Sequence, residues 1–350
     1  MMKETNLKPN ICKAIVWTSL PLLFAIFLNS CMSNIPEDLD NLGKDISISR
    51  TKFEPFLGKT EYIQNLVNVG KNSSLPLTFR LQNVRTFEGL PAPELQEKYA
   101  VKIWKSQYTG NETSVEDIEK KRVVEYHSFM EISEKNGNLT FWNTPNYPEI
   151  HTYPHQGYLF DIEYENSGGK QHFRNLKLQA KRARPYSPID MDENSGILRN
   201  PYVYPSIKKN ISGHQEGADP IVEVYFLRNS AETTGAKTLT ISVIDSIGKV
   251  IDIQKFSKTD FKNLVHGFNP KFVGGKVTFD VCYPIPLVGI PTKYTGIGGD
   301  MAKFVLRYDR LGKDGKNIEA SLGHEFAIYQ EGNWEIQFWF RGQSPKFEND

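Results

Sequence analysis

The sequence predicts an all-β protein made of two β-sandwich domains of the immunoglobulin-like kind, with one short helix. Three observations predict this fold class. Short segments of alternating apolar and polar residues recur along the chain, turns rich in glycine and proline separate them, and helical periodicity is almost absent. Strands of this length and spacing are typical of antiparallel sandwiches. With 39% hydrophobic residues among 350, the chain can bury the cores of two domains of ordinary size.

Residues 1–30 are predicted to be a lipoprotein signal peptide. Three lysines precede an apolar run of 15 residues, Ala14–Leu28, which is too short to cross the ~30 Å hydrocarbon core of a bilayer. The run ends in Leu-Asn-Ser-Cys31, which resembles the lipobox of bacterial lipoproteins. The resemblance implies cleavage before Cys31 and acylation of its thiol by palmitate-type chains, which hold a protein on a bilayer. The alternative is a plain secretory signal followed by a coincidental cysteine.

The composition divides the mature chain into four segments. Residues 31–50 are polar and acidic and are predicted to form a flexible tether. Residues 51–183 are predicted to form the first sandwich, and residues 220–345 the second. Between them, residues 184–219 are rich in proline, aspartate and asparagine without periodicity, which indicates a linker.

The first sandwich is predicted to contain six strands and the helix. The strand segments are 75–83, 99–104, 123–132, 139–142, 157–164 and 172–178. Lys135–Asn138 and Asn166–Gly169 supply the glycine and asparagine that tight hairpins need. A capping pattern at Thr113 and Ser114, with acids first and bases last, predicts a short surface helix over residues 115–122.

The second sandwich is predicted to contain seven strands. They are 220–227, 238–245, 249–253, 276–283, 303–308, 325–329 and 334–340. The four-residue link 330–333 is predicted to join the last two strands as a hairpin, and residues 259–264 to form one capped helical turn. Cys282 lies within a strand with no basic neighbour, so we expect an inert thiol.

Charge and motifs argue against nucleic-acid binding and against catalysis. Lys+Arg is 42 and Asp+Glu is 41, so the chain lacks the excess of basic residues that a phosphate backbone requires. The sequence has no nucleophile elbow, no phosphate-binding lysine loop and no zinc-protease motif. Asp161 and Glu163 share one strand face, as a catalytic acid pair would, but so do the residues of any solvated face. The chain is therefore expected not to be an enzyme.

Two patterns suggest metal ligands. Asp190, Asp192 and Asn194 alternate as the first oxygen ligands of a calcium loop do, although the position of the closing glutamate is a proline. A linker turn shaped by these residues themselves is the alternative, and no cofactor is expected. His151 and His155 are four apart, but Pro154 argues against the helix that would aim both at one metal.

Aromatic residues are the remaining candidates for ligand binding. Trp142, Tyr147 and Tyr153 lie in a stretch rich in loops and prolines, where exposed rings can stack on sugars. The alternative is that Trp142 packs into the core and Tyr153 holds a loop in place. Trp339 lies among polar residues on the outer side of the last strand, which predicts either an interface anchor or cover by the other domain.

Several stretches of the mature chain together resemble a family of Bacteroidetes outer-membrane surface lipoproteins. They are Lys102–Trp104 with Tyr108–Gly110, Ser114–Arg122, Asn166–Gly169, Leu264–Asn269, Tyr283–Leu287 and Gly332–Ile336. The resemblance implies a lipid-anchored, non-catalytic accessory of a SusC/SusD-like nutrient uptake system at the outer membrane. We therefore expect a protein that binds glycans or other nutrients. The alternative is a structural protein that docks on a transporter or a neighbouring lipoprotein.

Overall fold

The computed structural model describes residues 40–211, 220–229, 235, 237–312 and 315–348. The signal peptide, Cys31 and the first part of the predicted tether lie outside the described residues. Within the described part the chain is all-β, as the sequence predicts, and it contains a single α-helix, α1 (Val115–Glu119). The Ser114 hydroxyl accepts a hydrogen bond from the Asp117 N–H (3.1 Å), which confirms the predicted cap. None of the described helical segments is both long and apolar enough to span a bilayer.

The first half of the chain forms four small sheets from short strands. The strands are β1 (Ser47–Ile48), β2 (Lys52–Phe53), β3 (Glu61–Ile63), β4 (Val67–Asn68), β5 (Thr78–Thr86), β6 (Lys98–Trp104), β7 (Arg122–Ser128), β8 (Met130–Ile132), β9 (Leu139–Phe141), β10 (Tyr158–Asn166) and β11 (Gly169–Leu178). Their orders are β1-β4, β2-β11-β10-β5, β3-β9-β8 and β6-β7. The sheets β1-β4, β2-β11-β10-β5 and β3-β9-β8 share one apolar cluster on their inward faces, which includes Phe53, Phe141 and Phe160.

The second half forms a sandwich of two larger sheets. Its strands are β12 (Tyr186–Ser187), β13 (Ile207–Lys209), β14 (Ile221–Asn229), β15 (Thr238–Ile244), β16 (Val250–Ile251), β17 (Gly267–Val273), β18 (Lys276–Val281), β19 (Ala302–Leu311), β20 (Asn317–Ile328) and β21 (Asn333–Arg341). One sheet has the order β14-β21-β15-β18-β17, and the other has the order β12-β20-β13 with β19 also on β20. Phe338 of the first sheet meets Phe304 of the second edge to face, with ring centroids 5.6 Å apart.

The hairpin predicted at residues 330–333 is wrong. β20 pairs with β12, β13 and β19, whereas β21 lies between β14 and β15 in the other sheet. The link therefore carries the chain from one layer of the sandwich to the other. Alternation of apolar residues marks both strands but does not say which strand each one pairs with. In the structure β21 pairs with β14 along its whole length, and β20 pairs with β19.

The predicted flexible tether and the predicted linker are both partly built into the fold. In the predicted tether, β1 pairs with β4, and Ile46 is buried. In the predicted linker, both β12 and β13 pair with β20, and Ile211 is fully buried. Strands of two or three residues are too short to show periodicity, so composition alone suggested loops here.

An arm formed by residues 104–122 connects the two halves. Its helix buries Ile118 against Cys282 and Leu287 of the second half. The Arg122 guanidinium donates to the Tyr283 carbonyl (2.7 Å), and its own side chain is only 5% exposed. Burial raises the pKa of the Cys282 thiol, so this cysteine is a packing residue in the contact between the halves.

Candidate functional site

The candidate site lies on the outer face of the sheet β3-β9-β8. Its inward face buries Met130, Leu139 and Phe141. Because side chains alternate along a strand, the residues between these point outwards. Thr140 at the centre of β9 faces Tyr62 of β3 on one side and Glu131 of β8 on the other.

Trp142 follows β9 directly and contacts the residues at both ends of this row. Its ring stacks on the imidazole of His127, with centroids 4.1 Å apart and planes inclined by 22°. The Tyr62 ring meets it edge to face at 5.9 Å and 82°. The indole Nε1–H donates to Glu131 Oε2 (3.0 Å). We call Tyr62, His127, Glu131 and Trp142 the aromatic platform.

Glu131 holds the platform in place. His127 Nδ1 donates to its Oε2 (2.7 Å), and the Ser128 N–H donates to its Oε1 (3.0 Å). Partial burial raises the pKa of Glu131, but these hydrogen bonds and the one from Trp142 outweigh burial and keep the pKa below its usual value. The ionised carboxylate thus fixes both rings in one orientation before any ligand arrives.

The platform is open to solvent and has a depression on each side. Tyr62 is 63% exposed, Glu131 and Trp142 are partly exposed, and the side chain of His127 is only 16% exposed. Beside Tyr62, between β2 and β3, lies a polar cleft of about 360 Å³. Beside Glu131, between β5 and β8, lies a groove of about 540 Å³. Glu131 lines the groove and Tyr62 lines the cleft, so the platform joins the two.

The other two aromatic residues predicted to bind a ligand lie outside the platform. Tyr147 begins a 3-10 turn, Tyr147–Glu149, and packs against the apolar cluster of the first half. Tyr153 is 56% exposed, and its carbonyl accepts a hydrogen bond from Arg182 (3.3 Å). Within the described chain, no ring contact joins either residue to Trp142. Of the three predicted residues, the platform thus contains Trp142 alone.

The predicted calcium ligands have other partners. Asp192 Oδ1 accepts from the N–H groups of Asn194 (3.1 Å) and Ser195 (2.8 Å), and its Oδ2 pairs with Arg199. These contacts, chiefly the backbone one from Ser195, lower the pKa of Asp192 to about 2. Asp190 Oδ1 lies 3.9 Å from the same Arg199. The contacts are those of the linker turn that was the alternative interpretation. No three histidine, cysteine, aspartate or glutamate side chains converge as metal ligands in the described parts of the chain.

The carboxylates of Asp161 and Glu163 are also engaged in the fold. Asp161 accepts from the Asn83 side chain (2.8 Å) and the Asn175 N–H (2.8 Å), two asparagines with positive φ that flank a bulge in the sheet. Glu163 pairs with Lys170 (3.1 Å). Each carboxylate therefore stabilises strand pairing across the sheet.

Trp339 is covered by its own sheet. The Arg341 guanidinium lies 3.5 Å from the centroid of its indole ring, and the Tyr225 ring centroid lies 6.1 Å away. Arg341 is itself fixed by a hydrogen bond from its Nε to Glu223 (2.7 Å). The ring contacts that cover Trp339 thus come from Arg341 and Tyr225 of its own sheet.

The fold and this surface define an all-β protein whose candidate site is an open aromatic platform rather than an enclosed pocket. The family model for a domain of unknown function, DUF5007, matches residues 68–349 of the chain. Because the match covers well over half of its length, the chain belongs to the DUF5007 family. Neither the curated proteins nor the solved structures include a match to it.

Proposed function

We propose that this protein is a non-catalytic, lipid-anchored glycan-binding protein of the outer membrane, and that the aromatic platform is its binding surface. The observation that carries the proposal is the edge-to-face and stacked arrangement of Tyr62, Trp142 and His127 on an exposed sheet face. The exposed ring of Tyr62 and the partly exposed indole of Trp142 offer apolar surface to the C–H faces of sugars, and the His127 ring backs the indole. Thr140 and Glu131 add hydrogen-bonding groups at the same level, which hydroxyl groups of a sugar can use.

The site is suited to binding rather than to bond cleavage. Its carboxylate, Glu131, is ionised and already accepts hydrogen bonds from His127, Ser128 and Trp142. A general acid would need a raised pKa and a free proton, and Glu131 has the opposite environment. The platform thus supports a capture role, and the uptake system of the SusC/SusD type that it would serve is what the sequence resemblance implies.

Retention on immobilised glycan is the test of this proposal. The soluble fragment 32–350, which keeps every described residue, is run through native gels that contain neutral or anionic polysaccharides. Amylopectin, xylan, galactomannan, levan and homogalacturonan cover the main backbones. We expect delayed migration in at least one gel. Unchanged migration in every gel of a broad panel would contradict the proposal.

The membrane anchor is a separate part of the proposal and has its own test. Several acyl chains on one residue bind a bilayer almost permanently, whereas an unmodified polar chain start does not bind. We expect labelled palmitate to be incorporated into the full-length protein and to be lost in the variant Cys31→Ser, which should move from the membrane fraction to the soluble fraction. Equal labelling of both proteins would rule out Cys31 as the anchor.

Docking on a transporter or on a neighbouring lipoprotein is the second candidate function. The two-stranded sheet β6-β7 favours it, because Val124 is 55% exposed and Tyr126 is 67% exposed there. The gel experiment separates the two candidates, since docking alone predicts no retention by any polysaccharide.

A further inference from the structure

We propose that the site takes an internal segment of a neutral, linear polysaccharide, about four sugar residues long, which runs across the strands of the sheet β3-β9-β8. This inference rests on the proposed function and adds the length and charge class of the glycan. It follows from the position of the two depressions relative to the platform.

The depressions lie at opposite edges of the same sheet. The cleft adjoins β3 and the groove adjoins β8, with β9 between them. Neighbouring strands are about 4.8 Å apart, so the outer face from β3 to β8 is about 10 Å wide. A pyranose ring is about as long as one such spacing. Two sugars therefore cover the platform, and one more enters each depression.

Both depressions are open, and this openness indicates whether the site binds an internal segment of a polysaccharide or its terminal sugar. A pocket that recognises a terminal sugar encloses it on most sides. Here Tyr62 stands 63% exposed between the cleft and Trp142, and the groove is bordered by exposed residues such as Arg80 and Gln96. A chain can thus enter at one edge of the sheet and leave at the other without being cut.

The charges in the depressions argue for a neutral chain. In the cleft, Lys52 pairs with Glu54 (2.7 Å), and Arg50 and Glu61 also line the walls. The groove is lined by one arginine and two glutamates: Arg80, Glu131 and Glu134. Side chains of opposite charge offer both hydrogen-bond donors and acceptors, and a sugar hydroxyl group can bond to either kind. The charges of the cleft balance, and an anionic chain would meet an excess of carboxylate in the groove and at the platform.

A ladder of oligosaccharides tests the inference. Neutral xylo-, cello-, manno- and malto-oligosaccharides, from the disaccharide to the octasaccharide, are titrated into fragment 32–350, with oligogalacturonates as the anionic arm. We expect affinity for one neutral series to rise about tenfold between the disaccharide and the tetrasaccharide and then to level off. The oligogalacturonates should bind more weakly at every length.

Variants in the two depressions sharpen the test. Arg50→Ala in the cleft and Gln96→Ala in the groove should each reduce the gain from the longer oligosaccharides, and Tyr126→Ala, outside the site but as exposed as Tyr62, should preserve it. A plateau already at the disaccharide would overturn the inferred length, and preference for oligogalacturonate would overturn the inferred charge class. Either result leaves the proposed function standing. Absence of binding to every glycan would instead remove the proposed function, and the inference with it.

Discussion

Replacing Trp142 by alanine is expected to reduce affinity for the retained polysaccharide at least about tenfold, because aromatic anchors at the centre of a binding surface contribute about 2 kcal/mol or more. The change removes the ring that stacks on His127 and meets the edge of Tyr62. It also removes the indole hydrogen bond to Glu131. The measurement is the dissociation constant from native gels at graded polysaccharide concentrations.

A matched control separates the loss of the site from a general loss of structure. Trp339→Ala also removes a partly exposed tryptophan from the outer face of a sheet, where its ring packs against the guanidinium of Arg341. We expect this variant to bind as the wild type does. Equal loss of affinity in both variants, or full affinity in Trp142→Ala, would contradict the claim that the aromatic platform binds the polysaccharide.

The second large effect concerns acid stability and arises at His324. This residue occupies an inward position of β20, between Leu322 and Phe326, and is 1% exposed. Its Nδ1 accepts a hydrogen bond from the Ser206 N–H (3.2 Å), and its Nε2 has no partner. Burial in the sandwich core lowers the pKa of His324 from the ordinary value of 6.5 to about 4.

A depressed histidine pKa makes the fold less stable in acid. Above pH 6.5 the imidazole is neutral in both states, so it adds no dependence on pH. Between pH 6.5 and about 4 the unfolded chain binds a proton that the folded chain excludes, and the free energy of unfolding falls as the pH falls. Over this window the loss is on the order of 3 kcal/mol, at about 1.4 kcal/mol for each pH unit.

His324→Asn isolates this contribution. The side-chain carbonyl of asparagine can still accept a hydrogen bond from the Ser206 N–H, but asparagine does not bind a proton in this pH range. The variant therefore keeps the hydrogen bond and has no titratable group at this position. Urea unfolding at several pH values should show a shallower decline of stability with acid for the variant than for the wild type. His155→Asn, at an exposed histidine, should leave the slope unchanged. The same slope in His324→Asn as in the wild type would refute the role of this residue.

The longer strands and some of the turns could be predicted because they follow local rules. In β10 and β11 apolar and polar residues alternate clearly, and the residues Asn166–Gly169 between them are typical of a tight turn. In the structure Asn166 pairs with Gly169, which closes the hairpin. β17 was missed because Asn269, with a positive φ, and Pro270 interrupt it. The first part of β20 was missed because polar His324 stands where the pattern requires an apolar residue.

The site was only partly predictable, for a different reason. Trp142 could be found as an aromatic residue next to a proline-rich loop. Tyr62 and Glu131 come from β3 and β8, and only the pairing of these strands with β9 brings them to it, while His127 lies in β7, just before β8. A single sequence does not contain that register. No local signal points Tyr62 outwards, since a tyrosine beside an isoleucine is equally typical of a buried strand.

The central claim is that the platform around Trp142 is the surface that touches glycan, and fluorine NMR tests it most directly. Fragment 32–350 keeps four of the five tryptophans of the chain, at positions 104, 142, 334 and 339, since Trp17 lies in the signal peptide. With 5-fluorotryptophan at each, four resonances can be followed during titration with the retained polysaccharide. We expect the Trp142 resonance to shift or broaden while the other three stay in place. A titration that moves Trp339 or Trp104 and leaves Trp142 unchanged would contradict the claim.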